Sequence, residues 1–299
     1  MARLTTADFD QELLILFDAY VHGDIDRRGF LDRAAKFAVG GMTAAGLLAA
    51  LSPDFAVAQV VPQGDPRIST QVVDVASPSG SGTVKAYVAQ PAGASASGRL
   101  PGVLVVHENR GLNPHIEDIA RRLAVDGYLA MAPDALTPLG GYPGDEDKAR
   151  ALFARLDQGK TRQDFIAAAG VLKSRPDCSG RIGVVGFCYG GGMAHHLATQ
   201  LPDLAAAVPF YGNHPPLEDA ARVKAPLLIH FAGIDERINA AWPAYEAALK
   251  AAGVRYMAHH YPGTQHGFNN DTTPRFDANA AQLAWERTLG FFRQHLQTG

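Results

Sequence analysis

The chain has 299 residues, 47% of them hydrophobic, so it can bury one large core, and length alone permits one or two domains. Its 27 basic and 30 acidic side chains give a formal net charge of -3 without any basic run, which excludes nucleic acid as an expected partner. The two cysteines, Cys178 and Cys188, flank one predicted strand and so lie roughly 30 Å apart along an extended chain, far beyond the reach of a disulfide.

Residues 1–59 differ in character from the rest and form a separate amino-terminal arm. Phe9, Leu13, Leu16, Phe17 and Tyr20 recur at helical spacing, which predicts an amphipathic helix from Asp8 to His22 with Asp8 and Gln11 at its cap. Arg27-Arg28 with Phe30-Leu31 follows, then a Gly/Ala-rich apolar stretch from Ala34 to Leu51 and an A-x-A site at Ala56-Val57-Ala58. The segment resembles a twin-arginine export signal, although Asp24, Asp26 and Asp32 crowd the arginines. Export would place the mature chain in the periplasm or outside the cell; the alternative is a pair of helices packed on the catalytic domain or a partner subunit, and a cytoplasmic protein. No stable membrane span is expected, because Lys36 and the glycines leave the apolar run short of ~20 residues.

Residues 60–299 alternate strands and helices with no linker between them. Thr70 to Ala76 and Thr83 to Gln90 alternate in period two across a Ser-Pro-Ser-Gly-Ser-Gly turn, a hairpin signal. Gly102 to Val106 is a continuous apolar run, as a strand buried on both faces requires. A helix from Pro114 to Asp126, a strand at Tyr128 to Ala132 and helices over Asp147 to Asp157 and Arg162 to Ser174 follow. Strands at Ile182 to Phe187, Ala205 to Tyr211, Pro226 to Ala232 and Arg255 to Tyr261 come next, with helices near Ala240 to Ala252 and from Phe276 to Gln297. This is an α/β pattern: a mostly parallel central sheet covered by helices on both faces, with functional loops at the carboxyl ends of the strands.

The chemistry concentrates where the strand Ile182 to Phe187 breaks into Cys188-Tyr189-Gly190-Gly191-Gly192. A strand, sharp turn and helix with tiny residues two before and two after the apex is a nucleophile elbow; Gly186 and Gly190 meet that demand around Cys188. Such a nucleophile needs an acid and then a histidine later in the chain. Asp235 follows the strand Pro226 to Ala232, and His266 follows the next one, so Cys188, Asp235 and His266 form the candidate triad, with Glu236 the adjacent chemical equivalent of Asp235. His195, His196 and His230 fall within a helix or strand, where packing roles are expected. No metal-ligand spacing such as H-E-x-x-H occurs, so neither a metal nor a cofactor is expected.

A second element is His107-Glu108-Asn109-Arg110-Gly111-Leu112-Asn113 at the end of the first central strand. With Ile116 to Ala124, Gly127-Tyr128, Ala132-Pro133-Asp134, the Cys188 turn and the Asp235 and His266 loops, it resembles the dienelactone hydrolase family over about residues 70–295. The resemblance implies an α/β-hydrolase fold and a thiol-based esterase or lactonase acting on a small molecule through an acyl-thiol intermediate. It further implies that Glu108 engages the resting thiol and that the backbone N–H groups of Tyr189 and Asn109 form the oxyanion hole. Where the family places an arginine four residues after the catalytic histidine, this chain has Asn270, so a substrate carboxylate is expected to be disfavoured unless Arg110 or Arg237 supplies the charge. Two other classes compete: a thiol redox sensor at Cys188, and a non-catalytic binding module on the same fold. The oligomeric state is not readable from the sequence.

Overall fold

The computed structural model describes residues 4–39, 41–56, 58–94 and 98–297. Eight strands form one sheet: β1 (Ile68–Ser77), β2 (Gly82–Pro91), β3 (Leu100–Val106), β4 (Leu129–Pro133), β5 (Cys178–Phe187), β6 (Ala206–Phe210), β7 (Leu227–Ile234) and β8 (Tyr256–Gln265). Their spatial order is β1-β2-β4-β3-β5-β6-β7-β8. The β1–β2 hairpin and its edge on β4 are antiparallel, and every pairing from β4 through β8 is parallel.

The apolar runs read from the sequence are central strands because both of their faces are covered. Along β3, Leu104 and Val106 join one core while Val103 and Val105 join the other, and Val184 and Val185 divide in the same way along β5. The first core is closed by Phe165 and Leu172 of one helix, Met193 and Leu197 of a second and Tyr245 and Leu249 of a third. The second is closed by Ile116, Ile119 and Leu123, and by Ala284, Phe291 and Phe292 near the carboxyl end. This is the doubly covered α/β sheet that the alternation of elements predicts.

Residues of the arm fold into α1 (Gln11–His22), α2 (Arg27–Ala34) and α3 (Ala44–Leu51). They make a small core of their own from Leu13, Leu14, Phe17, Tyr20, Phe30, Leu47, Leu48 and Leu51. The start of α1 departs from expectation. Asp10, not Asp8, is the cap, its carboxylate accepting from the Glu12 N–H, while Asp8 closes a short turn with Thr5. Gly23 ends the helix in the left-handed conformation, φ 86°, which fixes His22 at its carboxyl end. Val57, the middle residue of the expected A-x-A site, lies outside the described residues. Among those described, no helix is long and apolar enough to cross a membrane.

Two other boundaries shift. The helix expected over Asp147 to Asp157 runs from Glu146 to Phe153, and Asp157 instead caps the next helix, Gln158–Ser174, by accepting from the Lys160 N–H. The last helix starts at Ala278, where the Asp277 carboxylate accepts from the Ala280 N–H, and gives way after Phe292 to a wider turn over Arg293–Gln297. In both places a carboxylate that satisfies an orphan N–H decides the start, overriding the apolar period.

Candidate active site

The parallel strands bring four loops to one end of the sheet. At the end of β5, Cys188 sits at φ 55°, ψ -113°, a conformation that non-glycine residues rarely adopt. The flanking glycines make it possible: a Cβ on Gly186 would stand 1.9 Å from the Gly190 carbonyl oxygen, and one on Gly190 would stand 2.2 Å from that of Val106. The Cys188 N–H donates to the Phe210 carbonyl at 3.0 Å, which ties the turn to β6. Tyr189 then opens the helix Tyr189–Gln200, so its N–H is one of the amino-terminal donors without an acceptor inside the helix.

Asp235 follows β7 and His266 follows β8. His266 Nδ1 and Asp235 Oδ2 lie 2.6 Å apart, and both residues are buried. Glu236, the adjacent equivalent, is exposed and starts a short helix instead. The His266 ring rests edge-on against Tyr211 at 4.9 Å, and Tyr211 is itself held at φ 36°. His266 Nε2 is buried with no hydrogen-bond partner, and the ligand atoms of His266, Cys188 and His22 all lie within 4.8 Å of one another. The structure thus brings Cys188, Asp235 and His266 together. His195 packs on Tyr245, and His230 is buried between the Tyr261 and Thr288 hydroxyls, so both are packing residues. Cys178 and Cys188 are both free thiols.

The thiol's partner corrects an expectation. Cys188 Sγ contacts His22 Nε2 of the arm at 3.5 Å, while Glu108 accepts from the Asn270 side-chain amide at 2.8 Å. The reason is the arm, which places the carboxyl end of α1 against Cys188. Asn270 is equally committed, since its carbonyl oxygen accepts from the Thr272 N–H and hydroxyl. An arginine at that position would meet Glu108 before it met a substrate.

The other anticipated residues also hold the arm. Asn109 donates from its side-chain amide to the Val21 carbonyl at 2.9 Å, and Arg110 donates to the same oxygen at 3.3 Å. Arg237, exposed, approaches His22 Nε2 at 3.0 Å. Residues that the sequence reading did not single out complete the lock. Arg275 donates to Asp18 at 3.1 Å, Arg150 donates to the Tyr20 carbonyl at 3.0 Å and lies 4.1 Å from its ring centroid, and Asp147 accepts from Tyr20 and Arg27.

Between the arm and the loops, a cavity lined by Glu108, Asn109, Arg110, Cys188, His266 and Arg275 keeps about 50 Å³ of space, room for a few waters. A larger groove of about 450 Å³ reaches Cys188 beside Tyr189, Asn213 and His214, but His266 is not in its wall. The face that the thiol shares with His266 is therefore the one under the arm.

Charge is concentrated there. Burial alone would raise the Cys188 thiol, but the charge of His266 and the hydrogen bond from His22 outweigh it and hold the thiol down at about 6. Burial opposes protonation of His266, yet the thiolate charge and the Asp235 hydrogen bond raise it to about 10. His22 is raised to about 9 in the same way, its burial outweighed by Asp18 and Cys188. The resting site is a thiolate between two imidazoliums, each backed by a carboxylate. When His22 is protonated its Nε2–H faces the thiolate; when neutral it offers Nε2 to Arg237.

The dienelactone hydrolase family model matches residues 84–296, and a separate model described as YqhI-like matches residues 1–36. A protein of Escherichia coli O157:H7 named "Putative carboxymethylenebutenolidase" is 34% identical over 233 residues, 73% of this chain and 85% of its own. An Escherichia coli K12 protein named "Putative hydrolase fragment YghX" is 50% identical over 116 residues, 39% of this chain and 97% of its own. Among solved structures, that of a protein titled "Putative Dienelactone Hydrolase from Klebsiella pneumoniae subsp. pneumoniae MGH 78578" aligns with a TM-score of 0.67 at 30% identity, covering 76% of this chain and 99% of that one.

Proposed function

Because the chain belongs to the dienelactone hydrolase family, whose model spans residues 84–296, we propose that it hydrolyses carboxylic esters or lactones through an acyl-thiol intermediate on Cys188. One observation carries this reading. Asp235 holds His266 Nδ1 at 2.6 Å, so the imidazole must present Nε2, which is buried and unpaired, toward the thiol. A base so oriented, beside a thiol on a strained turn, is the arrangement that nucleophilic acyl transfer requires.

The steps follow from these atoms. The Cys188 thiolate attacks the carbonyl carbon, forming the S–C bond and placing the electron pair on the carbonyl oxygen. The backbone N–H groups of Tyr189 and Asn109 are the donors assigned to that oxyanion, each typically worth ~3 kcal/mol. As the intermediate collapses, the C–O bond breaks and the His266 imidazolium gives its Nε2 proton to the departing alkoxide. Neutral His266 then takes a proton from water, whose hydroxide attacks the acyl carbon and expels the thiolate. The free acid leaves, and the thiolate–imidazolium pair is restored. Asp235 holds the tautomer throughout.

With the arm seated, about 50 Å³ remains at the reacting face, too little for an aryl ester or a lactone. Turnover therefore requires the Val21–His22 end of α1 to withdraw, and the form described is the closed one.

A panel of aryl esters and lactones, assayed with wild type, Cys188→Ala and Cys178→Ala, tests the reaction. Cys188→Ala is expected to lose hydrolysis and Cys178→Ala to keep it, since Cys178 lies at the far end of β5. Equal loss in the two variants would remove Cys188 from the reaction.

A further inference from the structure

The arm brings a third ligand-bearing side chain to a thiol and an imidazole that already face each other. We propose that His22, Cys188 and His266 together form a binding site for a zinc ion, and that zinc held there locks the enzyme closed. The site itself stands on geometry; its inhibitory effect rests on the reaction proposed above.

Three observations converge on it. The ligand atoms of the three residues all lie within 4.8 Å of one another. With Zn–S near 2.3 Å and Zn–N near 2.0 Å, a tetrahedral ion separates its sulfur and nitrogen ligands by about 3.5 Å. The separation of Cys188 Sγ from His22 Nε2 is 3.5 Å. The two imidazoles stand edge to face, 81° apart with centroids 4.7 Å apart, so they do not stack.

His266 Nε2 is the second and independent sign. It is a buried nitrogen without a hydrogen-bond partner, it belongs to a residue only 4% exposed, and with Nδ1 held by Asp235 it is the ligand atom His266 has left. A metal ion taking the place of the imidazolium proton would satisfy it. Each imidazole is also fixed from behind as metal-binding histidines are, His266 Nδ1 by Asp235 at 2.6 Å and His22 Nδ1 by the Asp18 carbonyl at 2.8 Å. Two imidazoles and one thiolate leave a fourth position open, on the side of the small cavity, for water.

The consequence follows from the electron pairs. Zinc takes the thiolate lone pair needed for attack and the Nε2 lone pair needed for proton transfer, and it ties the end of α1 to both. Arg237 opposes the ion, since its guanidinium sits 3.0 Å from His22 Nε2 and competes for that lone pair. Being exposed, it can swing into solvent.

The test uses the full chain, stripped by a chelator, with Co(II) as a spectroscopic probe and Zn(II) as its competitor. One Co(II) per chain is expected, with a thiolate-to-cobalt charge-transfer band in the near ultraviolet and strong visible bands of tetrahedral cobalt. Zinc should abolish both. Cys188→Ala should lose the charge-transfer band and Cys178→Ala should keep it. His22→Ala should bind cobalt at least ~10-fold more weakly, and Asp18→Asn, which removes the carboxylate 3.3 Å from His22 Nδ1, ~10-fold more weakly. In the activity assay, zinc should inhibit wild type reversibly and His22→Ala much less. Equal cobalt affinity in wild type and His22→Ala would overturn the site, as would a cobalt spectrum without the thiolate band. If His22→Ala does not fold, His22→Gln decides, since it keeps a polar side chain without an imidazole nitrogen, and cobalt binding equal to wild type would overturn the proposal. The spectrum is independent of catalysis. A chain that binds cobalt as described yet cleaves no ester would sink the reaction and keep the site, and zinc that activates the enzyme would overturn the lock.

Discussion

At the scale of single residues, Cys188 and His266 ionise as a coupled pair, and the direction of each shift fixes a pH window. The attacking form needs the thiolate, which appears as pH rises through about 6, and the protonated imidazole, which is lost as pH rises through about 10. The account therefore predicts that kcat/KM climbs through about 6, stays high, and falls near 10. His22 contributes to the depression of the thiol, so His22→Ala should move the acid limb to higher pH and leave the alkaline limb to His266. Initial rates across the pH range in the two proteins measure this; coincident acid limbs would show that the arm does not touch the thiol's ionisation. That Cys188, Asp235 and His266 come together was legible in the sequence because the signs are local. Gly186 and Gly190 announce a strained turn, and Asp235 and His266 each directly follow an apolar strand. The thiol's partner was not legible, because His22 lies 166 residues away and nothing in its neighbourhood marks it.

At the scale of elements, the arm is the part whose packing decides access to the face that Cys188 shares with His266. Its apolar stripe, Leu13, Phe17 and Tyr20, was visible as helical period, but a period cannot say what covers the polar end of the helix. That end is held by charge and hydrogen bonds reaching from loops far along the chain: Arg275 to Asp18, Asn109 and Arg110 to Val21, and Arg150 to Tyr20. Arg150 makes both a hydrogen bond and a cation–π contact with Tyr20, together worth about 1.5 kcal/mol, or about tenfold in the open population. Arg150→Ala is thus expected to raise the rate of Cys188 alkylation by a bulky maleimide about tenfold, while Cys178, buried at the start of β5, does not gain. Rates of modification at each cysteine, read by peptide mass, check this. An unchanged Cys188 rate would mean that the arm does not gate the thiol. The same contacts bear on the export reading, because Arg27 of the arginine pair, though exposed like Arg28, is paired with Asp147.

At the scale of the whole molecule, the doubly covered sheet was legible because its strands alternate their side chains between two cores, leaving continuous apolar runs in the sequence. What the sequence left open is how a second folded unit closes the site of the first. The arm has a core of its own, and its family match at residues 1–36 is separate from that of the hydrolase at residues 84–296. The two meet at Cys188, where one supplies His266 and the other His22. The gating of turnover and the inhibitory effect of the metal both presuppose that this thiol carries the acyl group, so the most direct test traps it there. An aryl ester is mixed with excess protein, quenched in acid within the first turnover, and the chain is digested and weighed. The account predicts one acyl group, on the peptide carrying Cys188, removed by hydroxylamine and absent from Cys188→Ala. Release of the phenol without any acyl group on Cys188, or an acyl group on another side chain, would contradict it.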